Sequence, residues 1–141
     1  MQTMTTEQWH EFVAAGTRTG KLAVTRADGR PHVTPIWFVL DGDDIILNTG
    51  ADTVKGKAMR RDPRVSLAVD DQRPPYSFVI IDGIAELSED PGELRRWAAA
   101  IGGRYMGADR AEEFGARNGV PGELLVRIRP TRVLAQADLA S

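Results

Sequence analysis

Apolar positions along this chain switch between a period near 3.6 and a period of two, and the switches mark its elements. In "EQWHEFVA", Trp9, Phe12 and Val13 fall at helical spacing, which predicts a short helix from Thr6 to Ala15 with Thr6 as its cap. Gly16 and Gly20 flank its exit. "KLAVT" then reads as a strand. The turn "RADGRP" carries Asp28-Gly29, a strong hairpin signal, and "HVTPIWFVL" is a second strand. "DGDD" turns the chain into "IILNT", a third. Helical spacing returns from about Thr53 to Arg61 and stops at Asp62-Pro63. "RVSLAV" is a fourth strand. After the stiff "DDQRPPY" loop, "SFVIIDGIAEL" is a long fifth, with Gly83 as its expected bend or bulge. Asp90 and Pro91 open a helix through about Tyr105 that places Leu94, Trp97, Ala98 and Ile101 on one face. A shorter helix near Asp109 to Arg117 ends at Asn118-Gly119, and "ELLVRIRPTRVLA" is a sixth strand.

Strands joined by tight turns, with one helix after the third and a helical insert before the last, predict a mainly β fold. The expected architecture is a small antiparallel barrel of six or so strands with flanking helices. A parallel α/β sheet would need a helix after most strands. The 141 residues suit one domain with one core, comprising an N-terminal helix over 1–16 and a helical insert over 90–119.

Composition narrows the chemistry. Hydrophobic residues make up 42% and charged residues 27%, ordinary for a soluble globular chain. There is no cysteine, so thiolate catalysis, disulfides and Cys-ligated metals are excluded. Only His10 and His32 offer imidazoles, and no zinc site is expected. A net charge of -2 argues against a nucleic-acid partner. The start "MQTMTTEQWHEFV" lacks the pattern of a secretory signal, and no run approaches the roughly 20 apolar residues of a membrane span. A cytoplasmic location and no membrane partner are therefore expected.

Against that acidic background, "NTGADTVKGKAMRRDPRV" gathers Lys55, Lys57, Arg60, Arg61 and Arg64 against Asp52 and Asp62. On a helical wheel, Val54, Ala58 and Met59 define an apolar arc, with Lys57, Arg60 and Arg61 on the other side. Lys55 falls inside the arc, in the first turn. A lysine aimed at the packed side must snorkel or meet an anion. At a helix N-terminus the free N–H groups and the positive dipole end favour an anion. One reading is a phosphate cradle in which Thr49, Gly50 and Thr53 supply donors, Lys55 the charge and Lys57 a second contact. The other is a helix capped by Asp52 whose Lys55 reaches water. No P-loop pattern is present.

The strand "HVTPIWFVL" is apolar on both alternating faces, which predicts that a helix, a ligand or another subunit covers the barrel outside. Pro35 in mid-strand cannot donate to a ladder, so one side should be an unpaired edge able to receive a heteroaromatic ring. Trp37 either walls such a ring or joins the core; His32 reads as structural. No Ser-His-Asp pattern or GxSxG occurs. The acids sit in turns and at helix starts, so any redox chemistry would belong to a bound cofactor.

Taken together, "RADGRPHVTPIWF", "DGDDIILNTG", "KGKAMRRDPRVSLAVDD" and "FVIIDGIAELSED" resemble the pyridoxamine 5'-phosphate oxidase-like split barrels. They are most similar to the actinobacterial flavin/deazaflavin oxidoreductases that use coenzyme F420. The resemblance spans roughly residues 17 to 138, and its most specific part is the basic helix followed by "RRDPRV". It implies a homodimeric split β-barrel of the FMN-binding-protein type with cofactor sites at the subunit interface. It implies a phosphate at the start of the basic helix, held by Lys55 and Lys57 and by donors from Asn48, Thr49, Gly50, Ala51 and Thr53. The tricyclic ring would lie along Thr34, Pro35, Ile36 and Trp37. Tyr76 would approach the ring from the partner subunit; Arg60, Arg61 and Arg64 read by themselves either as the solvated side of the helix or as a rim that attracts an acidic cofactor tail. The implied activity is hydride transfer from F420H2 to an unsaturated small molecule, without a catalytic side chain. An FMN-dependent oxidoreductase and a non-catalytic F420 carrier are the alternatives. Val54 stands where many FMN-binding members carry arginine, which favours F420. The ending "VLAQADLAS" lacks the Arg/His substrate segment of the vitamin B6 oxidases, so B6 oxidation is not expected.

Overall fold

A computed structural model describes all residues, 1–141. Strand β1 (Gln2–Thr3) leads into helix α1 (Thr6–Ala14). The cap of α1 is Thr5, one residue earlier than expected, because Gln8 answers it in a reciprocal capping box. The chain continues through β2 (Gly20–Thr25), β3 (Pro31–Ile36), β4 (Val39–Asp41) and β5 (Asp44–Gly50) to α2 (Val54–Arg61). Then come β6 (Arg64–Asp71), β7 (Ser77–Ser88), α3 (Pro91–Met106), a 3-10 turn (Ala108–Arg110), α4 (Ala111–Asn118) and β8 (Glu123–Ala137).

The strands form one antiparallel sheet in the order β3-β2-β6-β7-β8-β5-β4, with β1 pairing β8. The mainly β class, the flanking helices and the tight β2–β3 hairpin at Asp28-Gly29 are as the sequence predicts. The sheet does not close, because β3 and β4 are both unpaired on their outer sides. There are eight strands rather than about six. β1 is an added short strand, and the predicted second strand breaks at Trp37–Phe38 into β3 and β4, which join opposite ends of the sheet. Gly83 lies opposite a bulge in β8, where Thr131 is the extra residue, and an added β-carbon at Gly83 would lie 2.6 Å from the Arg129 carbonyl oxygen.

Leu22, Val24, Leu67, Val69, Val79, Ile81, Leu124, Val126 and Ile128 fill the curled interior with Trp9 and Val13 of α1 and Ala58 and Met59 of α2. A second small core of Ile46, Leu94, Trp97 and Leu125 fixes α3 on the outer face of β5 and β8. Thus α2 belongs to the inside of the curl and touches both β2 and β5, strands that lie far apart in the sheet order. No helix is long and apolar enough to cross a membrane.

Candidate functional site

Two features stand out: the polar junction at the start of α2 and the open edge of β3. At the junction, Thr53 caps the helix by accepting the Gly56 N–H at 3.1 Å. Its hydroxyl donates to the Gly50 carbonyl at 2.7 Å and lies 3.2 Å from the hydroxyl of Thr49, which is buried. Thr53 therefore takes the capping role that one sequence reading gave to Asp52. Gly56 fits because a β-carbon there would meet the Gly50 oxygen at 2.4 Å and the Ala51 oxygen at 3.1 Å. The tight approach presses the first turn onto the end of β5. The Ala51 N–H is spent on the Gly122 carbonyl. The N–H groups of Asp52, Val54 and Lys55 donate to no protein acceptor.

The wheel needs one correction. The buried face of α2 is Gly56, Ala58 and Met59, whereas Val54 is exposed. Lys55 falls between Ala58 and Met59 on that face and is half-buried, and Lys57 is exposed. The other cations of the segment have partners within the chain. Arg60 reaches Glu89, Arg61 donates to the Thr25 carbonyl, and Arg64 forks onto Asp62. That fork, with the Arg64 backbone N–H, lowers the Asp62 carboxyl to about 2. The ammonium groups of Lys55 and Lys57 have neither an ion pair nor a hydrogen bond within the chain, while the Lys57 N–H donates to the Thr53 carbonyl at 3.0 Å.

Asn48 does not face this junction. Its amide donates to Glu123 Oε1 at 3.1 Å and to the Asn118 carbonyl at 3.4 Å, on the α4 side of β5. The alternation along the strand explains it: Ile45, Leu47 and Thr49 point into the curl, and Ile46 and Asn48 point away.

β3 is an edge strand, as Pro35 requires. The Arg26 N–H bonds the Arg30 carbonyl, so the next pair, Thr25 and Pro31, is non-bonded, and the alternation continues through Ala23–Val33 and Lys21–Pro35. The outward groups are therefore the carbonyls of Pro31, Val33 and Pro35 and a single donor, the Val33 N–H. The outward face is not covered within the chain. Val33 is 60% exposed, Pro35 is exposed and Trp37 is 37% exposed. On the opposite face Ile36 is buried, and the Thr34 hydroxyl is buried without a hydrogen-bond partner.

The floor beneath Trp37 comes from α3, which the sequence reading left out of the site. Trp37 stacks on Tyr105 with centroids 5.0 Å apart and planes 6° from parallel, and touches Phe114 at 6.1 Å. Nothing in the helical pattern of α3 distinguishes Tyr105 from a helix-end aromatic; only the fold brings it to Trp37. Tyr76 lies on the β6–β7 turn with φ 61°, and its backbone is tied to Arg73 and Leu139. The register places that turn at the end of the sheet where β3 leaves for Trp37.

The two features suit two kinds of ligand group, an anion at the α2 junction and a flat polar ring at the β3 edge. Three free N–H groups and two unpaired lysines meet the first requirement. An edge with donor and acceptors beside an aromatic wall meets the second. Residues 5–137 match the model of the pyridoxamine 5'-phosphate oxidase family. Among solved structures, a conserved hypothetical protein of Mycobacterium tuberculosis is 33% identical, with a TM-score of 0.83 over 94% of this chain and 84% of that one. An F420 reductase is 25% identical, with a TM-score of 0.69 over 87% and 94%. A heme storage protein of Vibrio cholerae shares the fold at 19% identity, with a TM-score of 0.73 over 96% and 98%. With its unclosed antiparallel sheet and matching residues 5–137, the chain belongs to the pyridoxamine 5'-phosphate oxidase-like split-barrel family.

Proposed function

We propose that this protein is an F420H2-dependent reductase acting on an unsaturated small molecule. The observation that carries the reading is the start of α2, where the ammonium groups of Lys55 and Lys57 and the N–H groups of Asp52, Val54 and Lys55 lack any partner in the chain. The likeness to an F420 reductase supports it. Lys55 and Lys57 hold the cofactor phosphate, Thr53 and Gly56 keep the cradle tight, and the β3 edge orients the ring through the Val33 N–H and the flanking carbonyls. The buried Thr34 hydroxyl has an unused hydrogen bond for a polar ligand atom. When bound, F420H2 supplies the hydride. The protein contributes orientation and removal of water, the terms that holding two reactants in line provides.

The proposal includes a homodimer. The outer face of β2, β3, β6, β7 and β8 exposes Val33, Ile84 and Leu134, an apolar surface of the kind a partner covers. A second copy there would cover the outside of β3 and bring its own Tyr76 toward the ring. FMN on the same site is the second reading, favoured by the family match.

Titrating the purified protein with F420, FMN and heme in parallel tests the assignment. Tight FMN or heme binding without F420 binding would sink the proposal. Turnover of F420H2 with an enone or quinone acceptor then separates a reductase from a carrier.

A further inference from the structure

Two consecutive residues at the end of α3 hold the break between β3 and β4. Arg104 donates from Nη1 to the Phe38 carbonyl at 2.7 Å, from Nη2 to the Val13 carbonyl at 2.7 Å and from Nε to the Gly16 carbonyl at 3.0 Å. The Tyr105 hydroxyl donates to the Arg18 carbonyl at 2.7 Å and accepts the Phe38 N–H at 3.3 Å. Both backbone polar groups of Phe38 are thus taken by side chains of another element. They are unavailable to a strand ladder, which is the local reason the predicted strand divides here. The Phe38 ring is buried beneath the Arg104 guanidinium, 4.7 Å from its centroid. The neighbouring Trp37 lies flat on the ring of Tyr105.

The chemistry of the clamp is unusual for mere filler. Arg104 has no carboxylate partner, and burial lowers its pKa. Burial also raises the Tyr105 hydroxyl above its ordinary value, so it stays a neutral donor. A guanidinium without a counter-charge is costly to bury unless its N–H groups are spent, and here they are spent on three backbone carbonyls. Packing alone would be served by a methionine or leucine. The forked donor fixes backbone positions of three segments at once: the end of α1, the loop after it, and Phe38. The last turn of α1 has no basic residue of its own, and Arg104 and Arg18 supply the cations to its carbonyls.

We propose that Arg104 and Tyr105 are positioning residues that fix the Trp37–Phe38 break, so that the β3 edge and the Trp37 indole form a preformed bench for a planar ring. This rests on the reading of β3 as the ring-binding edge. It assigns the α3 insert a role in ligand binding beyond covering the sheet.

The test uses the full-length protein with Tyr105→Phe, which keeps the stacked ring and removes only the hydroxyl. Solution NMR follows hydrogen exchange of the Phe38 N–H and the Trp37 indole resonance, alongside melting temperature and affinity for F420 and FMN. Tyr105→Phe should speed Phe38 exchange roughly tenfold and shift the Trp37 indole signal. It should also weaken the cofactor that the wild type binds by roughly tenfold, with cooperative melting retained. Arg104→Lys should behave like Arg104→Gln, because one ammonium cannot span three carbonyls. Unchanged Phe38 exchange and an unshifted indole signal would overturn the proposal, as would altered signals with unaltered affinity. Wild-type protein that binds neither cofactor would overturn the flavin reading instead, leaving the exchange and indole signals to decide whether the pair fixes Trp37.

Discussion

Between Lys55 and Arg64 three of five cations already have partners, and this sorts their expected mutational effects. Lys55→Ala and Lys57→Ala should each weaken cofactor binding about tenfold or more, since a hydrogen bond to a charged group contributes about 1.5–3 kcal/mol. Arg64→Ala, which removes only a surface pair with Asp62, should leave affinity unchanged when the variants are titrated with cofactor and followed by fluorescence. A second residue-scale expectation concerns acid. The Arg73 guanidinium and backbone N–H, with Arg18, lower the Asp71 carboxyl from 3.8 to about 2. The folded state therefore binds this proton later than the unfolded state. The stability it adds is fully present above about pH 4 and lost as pH falls through about 2. Melting curves of wild type should fall more steeply across that window than those of Asp71→Asn. Lys55 itself was legible as the odd cation of the segment. The wheel could not show that Gly56, rather than Val54, turns toward β5.

The elements themselves were read from local signals, and they are found where those signals are strong. The β2–β3 hairpin and the stop of α2 at Asp62-Pro63 both follow from residues adjacent in sequence. The failures have distant causes. The break at Trp37–Phe38 is imposed by Arg104 and Tyr105, and Asn48 turns away because α4 and Glu123 receive it. At this scale the α2 junction gives a clear test. Gly56→Ala ordinarily favours a helix, but here its methyl would collide with the Gly50 carbonyl oxygen. The expected result is destabilisation of about 1–3 kcal/mol, as overpacking usually costs. Thermal melting would show it, and weaker cofactor binding should accompany it because the cradle must open.

For the molecule as a whole, the single chain leaves the β3 edge, where the ring is proposed to bind, bare on one side. Within one chain α3 backs Trp37 through Tyr105, while Val33 and Pro35 stay exposed and leave the expected cover to a ligand or another subunit. The proposed dimer supplies the cover. Val33→Lys combined with Leu134→Asp places charge in that apolar face. Sedimentation should show a shift from dimer to monomer, and cofactor affinity should fall with it. A wild-type protein that sediments as a monomer at micromolar concentration would remove the dimer from the proposal. Sequence could suggest a covered face, but a second copy has no signature within one chain.

The two prolines of β3 have one more effect. A strand edge ordinarily recruits other strands, because its outward N–H and C=O groups alternate like a template. Pro31 and Pro35 delete every outward donor of β3 except that of Val33. A stray peptide would find carbonyls and almost nothing to accept from, whereas a compact ring needs only one donor and its neighbours. The edge can stay open to a small molecule and still be closed to aggregation.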